Sequence, residues 1–172
     1  MRRLSWDQQY QAGLWKASTR SSQTIAMVST LCKGGRLVEF GCGEGELPYL
    51  LPDDCYTEYL GYDISAVAVG RAAQRAAARG RSDIRFEQMD MAKWPGADSV
   101  ALIVVEECLY YLDVSQIESF LSRCVRSLNC EGHVLIVVHS PVKHASTLET
   151  CRRCCTVVSE RIHGARVYLV LK

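Results

Sequence analysis

The chain has almost no surplus charge and no long apolar run, and both absences narrow its class. Its 172 residues carry 20 Lys and Arg against 19 Asp and Glu, a formal charge of +1. Nucleic-acid binders present a basic face, whereas the basic clusters here, Arg2-Arg3 and Arg71 to Arg81, are short and interleaved with alanine or acids. The expected partner is a small or neutral molecule, not a nucleic acid. No apolar stretch approaches the ~20 residues of a membrane span. Met1-Arg2-Arg3 leads into Leu4-Ser5 and polar Asp7, Gln8 and Gln9 rather than a secretory apolar segment. A soluble, cytoplasmic protein with no membrane partner is expected. Repeats, linkers and low-complexity segments are also absent. What remains is ordinary globular composition, 48% hydrophobic and 23% charged, in a length that suits one domain over residues 1–172.

Cysteine is plentiful, with nine residues. Cytosolic thiols stay reduced, and Cys32, Cys108 and Cys124 sit among apolar neighbours as core positions. Cys151-x-x-Cys154-Cys155 has no second Cys or His pair at finger-like spacing, so no metal is expected.

The most informative stretch is Leu37-Val38-Glu39-Phe40-Gly41-Cys42-Gly43-Glu44-Gly45. It reads as a buried strand running into a turn whose alternate glycines leave the main chain bare, so that a ligand can lie against it. A bound cofactor explains three glycines better than a structural loop does.

Around this turn, strands alternate with helices. Two helical pieces between Ser5 and Leu31 come first, the second capped by Ser21 or Ser22 and stopped by Gly34-Gly35. Strand one is Arg36 to Phe40, followed by a short helix over Leu47 to Leu51. Strand two, Glu58 to Tyr62, ends on Asp63, and Ser65 caps a helix over Ala66 to Arg79. Strand three, Ile84 to Met89, alternates and belongs near a sheet edge; strand four is Val100 to Val105. Ser115-x-x-Glu118 reads as a capping box for a helix through Leu128. Glu131-Gly132 then turns into strand five, His133 to Val138. A helix from Leu148 to Cys155 precedes two strands, Thr156 to Arg161 and Arg166 to Leu171, in a closing hairpin. The fold class is α/β, a doubly wound, mostly parallel seven-stranded sheet with a C-terminal antiparallel hairpin. Residues 1–33 form a helical cap and residues 34–172 the core.

In open α/β sheets ligands bind beyond the carboxyl ends of the strands. Here the first four strands end at or beside acids: Glu39, Asp63, Asp90, and Glu106 with Glu107. Asp63 follows Gly45 by 18 residues, close to the spacing at which an acid grips ribose hydroxyls. The glycine spacing departs from the dinucleotide pattern G-x-G-x-x-G, because position 46 is Glu, and no phosphate-cradling G-x-x-x-x-G-K-[ST] occurs. A nicotinamide cofactor is disfavoured on that ground.

The combination Glu39-x-Gly41-x-Gly43-x-Gly45, Asp63 and Asp90-Met91 resembles the class I S-adenosylmethionine-dependent methyltransferases, over nearly the whole chain. The resemblance implies a Rossmann-like core and S-adenosylmethionine as cofactor. It places Gly41, Cys42, Gly43 and Gly45 against the methionine part, with Glu39 acting on its ammonium through water. It further implies Asp63 on the ribose, Ile64 packed on the adenine, Asp90 and the Met91 backbone at the adenine amino edge, and Glu106 near the sulfonium. Trp6-Asp7-x-x-Tyr10-x-x-Gly13-x-Trp15 is similar to the opening of thiopurine- and tellurite-type methyltransferases, which implies that Tyr10 and Trp15 cap the cofactor. Val104 to Leu112 is similar to the corresponding stretch of nodulation-type N-methyltransferases.

Methyl transfer from a sulfonium requires alignment more than activation. Glu107, Tyr110, Tyr111 and His139 are the candidates for orienting an acceptor or taking its proton. Each also has a plain alternative, as a solvated acid, packing rings or a strand-end histidine. Two functions are carried forward: methylation of a nitrogen or oxygen on a small molecule, and a cofactor-binding subunit whose acceptor pocket is completed by a dimer mate or partner.

Overall fold

The computed structural model describes residues 5–15 and 20–172. Residues 1–4, on which part of the expectation about the N-terminus falls, and residues 16–19, between the two expected helical pieces, lie outside that description.

Two short helices precede the sheet. Helix α1, Trp6–Gln11, opens with a capping box between Ser5 and Gln8, which supplies partners for first-turn N–H groups. Helix α2, Ser22–Cys32, is capped by the Ser21 hydroxyl, which accepts from Gln23 N–H. It is left through Lys33 and Gly34, both at positive φ.

The seven strands are β1 Gly35–Phe40, β2 Tyr56–Asp63, β3 Ile84–Gln88, β4 Val100–Glu106, β5 Leu128–His139, β6 Val157–His163 and β7 Arg166–Leu171. They form one sheet in the order β3-β2-β1-β4-β5-β7-β6. The first five run parallel, and β7 lies antiparallel between β5 and β6. The order therefore reverses between β1 and β4, the place where a doubly wound sheet opens a crevice. Alternate residues of these strands serve two cores. Leu37, Leu102, Val104 and Leu135 pack with α2 and with α3, Ala66–Ala78. Val38, Phe40, Ile103 and Ile136 pack with α4, Val114–Ser127, and α5, Ala145–Cys154. Burial of both faces is what makes β1 and β4 read as near-continuous apolar runs, and β3 sits at the sheet edge, as its alternation predicts. No helix among the described residues is long and apolar enough to cross a membrane.

Three local expectations are corrected. The helix over Leu47 to Leu51 is a single 3-10 turn, Leu47–Tyr49. The capping box of α4 is Asp113 with Gln116, not Ser115 with Glu118. Asp113 offers an ionised acceptor two residues earlier; Ser115 donates its hydroxyl to it, and Glu118 pairs with Arg153 instead. Finally, Glu131-Gly132 is not a turn, because β5 begins at Leu128, directly off α4. Gly132 is needed for close approach to β4, since a Cβ there would stand 2.6 Å from the Val100 carbonyl oxygen.

Candidate functional site

A cleft of about 970 Å³ opens beyond the carboxyl ends of the parallel strands, within the size range of small-molecule sites. Its floor is the glycine turn after β1. Gly41, Gly43 and Gly45 all have positive φ, but they face different surroundings. A Cβ on Gly43 would meet only the Tyr10 hydroxyl, at 3.1 Å, so this residue turns its bare side to the cleft. A Cβ on Gly41 would stand 3.0 Å from Cys108 Sγ. On Gly45 it would stand 2.4 Å from the Phe86 ring and 2.8 Å from Ala72, so Gly45 is a packing glycine beneath the turn and does not line the cleft.

Asp63 fastens the turn. Its Oδ2 accepts from Gly43 N–H at 2.9 Å and its Oδ1 from Ser65 N–H at 2.9 Å. Each carboxylate oxygen has a second acceptor site, and Asp63 lines the cleft. Burial raises its pKa, against the lowering effect of those N–H bonds. Ile64 stands half exposed at the mouth. Asp90 caps the turn Met91–Lys93 by accepting from Ala92 N–H at 3.0 Å, and Asp90 and Met91 both face the cleft. A bare main-chain floor and carboxylates at two successive strand ends suit an adenosyl group with its ribose hydroxyls.

At the inner end lies a group that sequence reasoning missed. Arg20 bridges Glu39 and Glu106, whose other oxygen accepts from Thr24 Oγ1 at 3.0 Å. Glu39 is fully buried, takes a further hydrogen bond from Tyr59, and does not line the cleft; Arg20 and Glu106 do. Burial works against the Arg20 charge, but Glu39 and Glu106 outweigh it and raise its pKa. Burial raises Glu39 in spite of Arg20. Nothing local marks Arg20, because its partners are 19 and 86 residues away.

Two thiols border the floor, and Cys108 lines the cleft rather than lying wholly in the core. Burial, then Glu39, lifts Cys42 well above the usual thiol range; burial, then Asp63, does the same to Cys108. Both stay protonated and so are poor nucleophiles.

The N-terminal segment closes one side. Asp7 accepts from the Ser65 hydroxyl at 2.6 Å and from Val67 N–H at 3.3 Å, and Arg71 donates to the Tyr10 carbonyl at 3.2 Å. These bonds hold α1 at the start of α3, with Trp6, Tyr10 and Trp15 on the cleft wall. Trp6 meets Tyr111 edge-on at 5.1 Å and Trp15 at 5.7 Å.

The outer end collects the remaining candidates. Glu107 has φ 57°, sparsely populated backbone for a residue with a side chain. Its Oε2 accepts from the Tyr110 hydroxyl at 3.1 Å and from His139 N–H at 3.0 Å. Tyr110 stacks on His144 at 3.8 Å, and His139 Nδ1 lies 2.8 Å from Ser140 Oγ. Arg166, opposite His139 across β5 and β7, stands 3.5 Å from Glu107 Oε1. The cleft thus brings together every expected site residue except Glu39 and Gly45.

A family model described as a methyltransferase domain matches residues 37–132, from β1 into β5. Among solved structures, the chain is similar to the N-methyltransferase NodS from Bradyrhizobium japonicum bound to S-adenosyl-L-homocysteine. That match has TM-score 0.70 and 21% identity and covers 87% of this chain and 83% of that one. A TehB-like SAM-dependent methyltransferase from Corynebacterium glutamicum matches with TM-score 0.71 at 17% identity, covering 96% and 94%. The PH0226 protein from Pyrococcus horikoshii matches with TM-score 0.75 at 14% identity, covering 96% and 91%.

Proposed function

The chain belongs to the methyltransferase-domain family, whose cofactor here is S-adenosylmethionine, and from that premise we propose that it methylates a nitrogen or oxygen of a small molecule. One observation carries the reading: the bare face of Gly43 opens into the same cleft as Asp63 and Asp90. In this reading Gly41, Cys42 and Gly43 present main chain to the methionine part, and the Arg20–Glu106 pair forms the inner wall. Asp63 takes the ribose hydroxyls through charge-assisted bonds. Ile64 packs on the adenine, and Asp90 and Met91 meet its amino edge. Tyr10 and Trp15 close over the cofactor and exclude water.

The cofactor supplies an already activated methyl group on a sulfonium. The protein's own task is to align the acceptor, and well-oriented reactants can gain ~7–11 kcal/mol of the barrier in this way. Glu107, Tyr110, Tyr111 and His139 stand at the outer end, where the acceptor would lie.

One observation favours a second reading, a subunit that binds cofactor and borrows its acceptor pocket from a second copy or a partner. Only α5 separates β5 from β6, and the outer wall leaves Tyr111 46% exposed. Incubation with methyl-labelled S-adenosylmethionine and a panel of amines and phenols tests both. Label on an acceptor supports the methyltransferase reading. Cofactor binding without transfer to any acceptor supports the subunit.

A further inference from the structure

Resting on the methyltransferase reading, we propose that the acceptor is an amine, held as its ammonium by Glu107 against the rings of Tyr110 and Tyr111. The first support is the charge of the cleft. Among the described residues lining it, the acids are Glu44, Glu46, Asp63, Asp90, Glu106 and Glu107, against Arg20 and Arg166. Ion pairs do not cancel the excess. Arg71 answers Glu44, Lys93 answers Asp90 and Arg166 answers Glu107. Arg20 is shared between Glu39 and Glu106, so among the described residues one carboxylate of that group, with Glu46 and Asp63, stays unbalanced. A cleft of one sign gathers ligands of the other and turns away its own. A carboxylate or phosphate acceptor is therefore poorly suited to this site.

The second support is local and independent of that sum. Among the described residues Glu107 Oε1 makes no hydrogen bond and faces Arg166, while Oε2 accepts from Tyr110 and His139. Arg166 Nε, its neighbour at 3.5 Å, is likewise without a hydrogen bond. The pair is too long for a hydrogen bond, and an ammonium in the cleft, which brings several N–H donors, would draw the partly exposed Glu107 carboxylate from Arg166 toward itself. Among the described non-glycine residues that line the cleft, Glu107 alone has a positive φ, 57°, and Ser140, behind His139, has φ 55°. Such strain is held where the surrounding structure aims a side chain. The Tyr110 ring, whose hydroxyl donates to Glu107, lies 4.9 Å from the Tyr111 ring, and aromatic faces attract cations. Before the nitrogen can form a bond, one N–H breaks: its electron pair stays on nitrogen as the lone pair, and the proton passes to the Glu107 carboxylate.

Calorimetry on the protein saturated with S-adenosylhomocysteine tests this with three probes of similar shape, benzylamine, benzyl alcohol and benzoate, at neutral pH. Benzylamine should bind at least about tenfold tighter than benzyl alcohol, as expected for a hydrogen bond to a charged group, with benzoate weakest. Glu107→Gln should remove most of that advantage. Arg166→Gln, which takes away the competing cation, should strengthen benzylamine binding. A wild-type protein that shows no preference for benzylamine, or no binding of it, overturns the proposal. So does an Arg166→Gln protein that binds benzylamine more weakly, and this variant decides the matter even where Glu107→Gln does not fold. Loss of the methyltransferase reading looks different, because S-adenosylhomocysteine itself would then fail to bind.

Discussion

The two ends of the cleft treat their charged groups in opposite ways. At the inner end, Arg20 is wrapped by Glu39 and Glu106, and those carboxylates are further satisfied by Tyr59 and Thr24. At the outer end, Glu107 and Arg166 face each other at 3.5 Å, each with a buried atom that makes no hydrogen bond among the described residues. A fully satisfied network fixes one geometry, while a half-satisfied one is open to a new partner. In the proposed reading the inner end meets the same adenosyl cofactor in every cycle, and the outer end meets the acceptor.

Removing the central cation at each end should expose the difference. Arg20→Met leaves buried carboxylates unpaired, so it should cost about 3–5 kcal/mol of stability, read as a shift of the urea midpoint. Arg166→Met, at a partly exposed pair, should change stability by less than about 1 kcal/mol. Equal losses would erase the distinction.

The floor can be divided in the same way. Gly45→Ala should lower stability by about 1–3 kcal/mol, the usual cost of overpacking, because the new methyl group meets Phe86 and Ala72. Gly43→Ala should mainly weaken cofactor binding, because its Cβ would point into the cleft. Asp63→Ala should weaken S-adenosylhomocysteine binding by about 1–3 kcal/mol in calorimetry, the loss expected for hydrogen bonds to a charged group. An unchanged dissociation constant in a folded variant would remove Asp63 from the ribose.

The smallest effect concerns the lid. Hydrogen bonds from the Ser65 hydroxyl and Val67 N–H hold Asp7 below its ordinary pKa of 3.8. A depressed carboxyl pKa stabilises the docked form above pH 3.8, and that contribution is lost as pH falls through the lowered value. Tryptophan fluorescence from Trp6 and Trp15 should therefore report α1 loosening on acidification, and Asp7→Asn should already be loosened at neutral pH. An acid response identical in the two proteins would break the link.

Much of this was legible in the sequence because it is written locally. The alternation of strands and helices, the glycine turn, and the acids at strand ends each depend on a few neighbouring residues, and the sheet order places them on one rim. Where two local signals competed, the reading went wrong. Ser115 and Glu118 fit a capping box, but Asp113 with Gln116 fits one two residues earlier. Gly132 resembles a turn glycine until its contact with β4 is known. Arg20 and Arg166 had no local signature at all, since each is defined by partners brought together only by the fold. The inner role of Gly45 was hidden for the same reason, because Phe86 belongs to another strand.

A crystal structure with S-adenosylhomocysteine tests the central claim most directly. The account predicts ribose hydroxyls on Asp63, adenine between Ile64 and Met91 with its amino group toward Asp90, and the sulfur beside Glu106, directed toward Glu107 and Tyr110 at the outer end. An adenosyl group bound outside this cleft, or a ribose with no contact to Asp63, would contradict it.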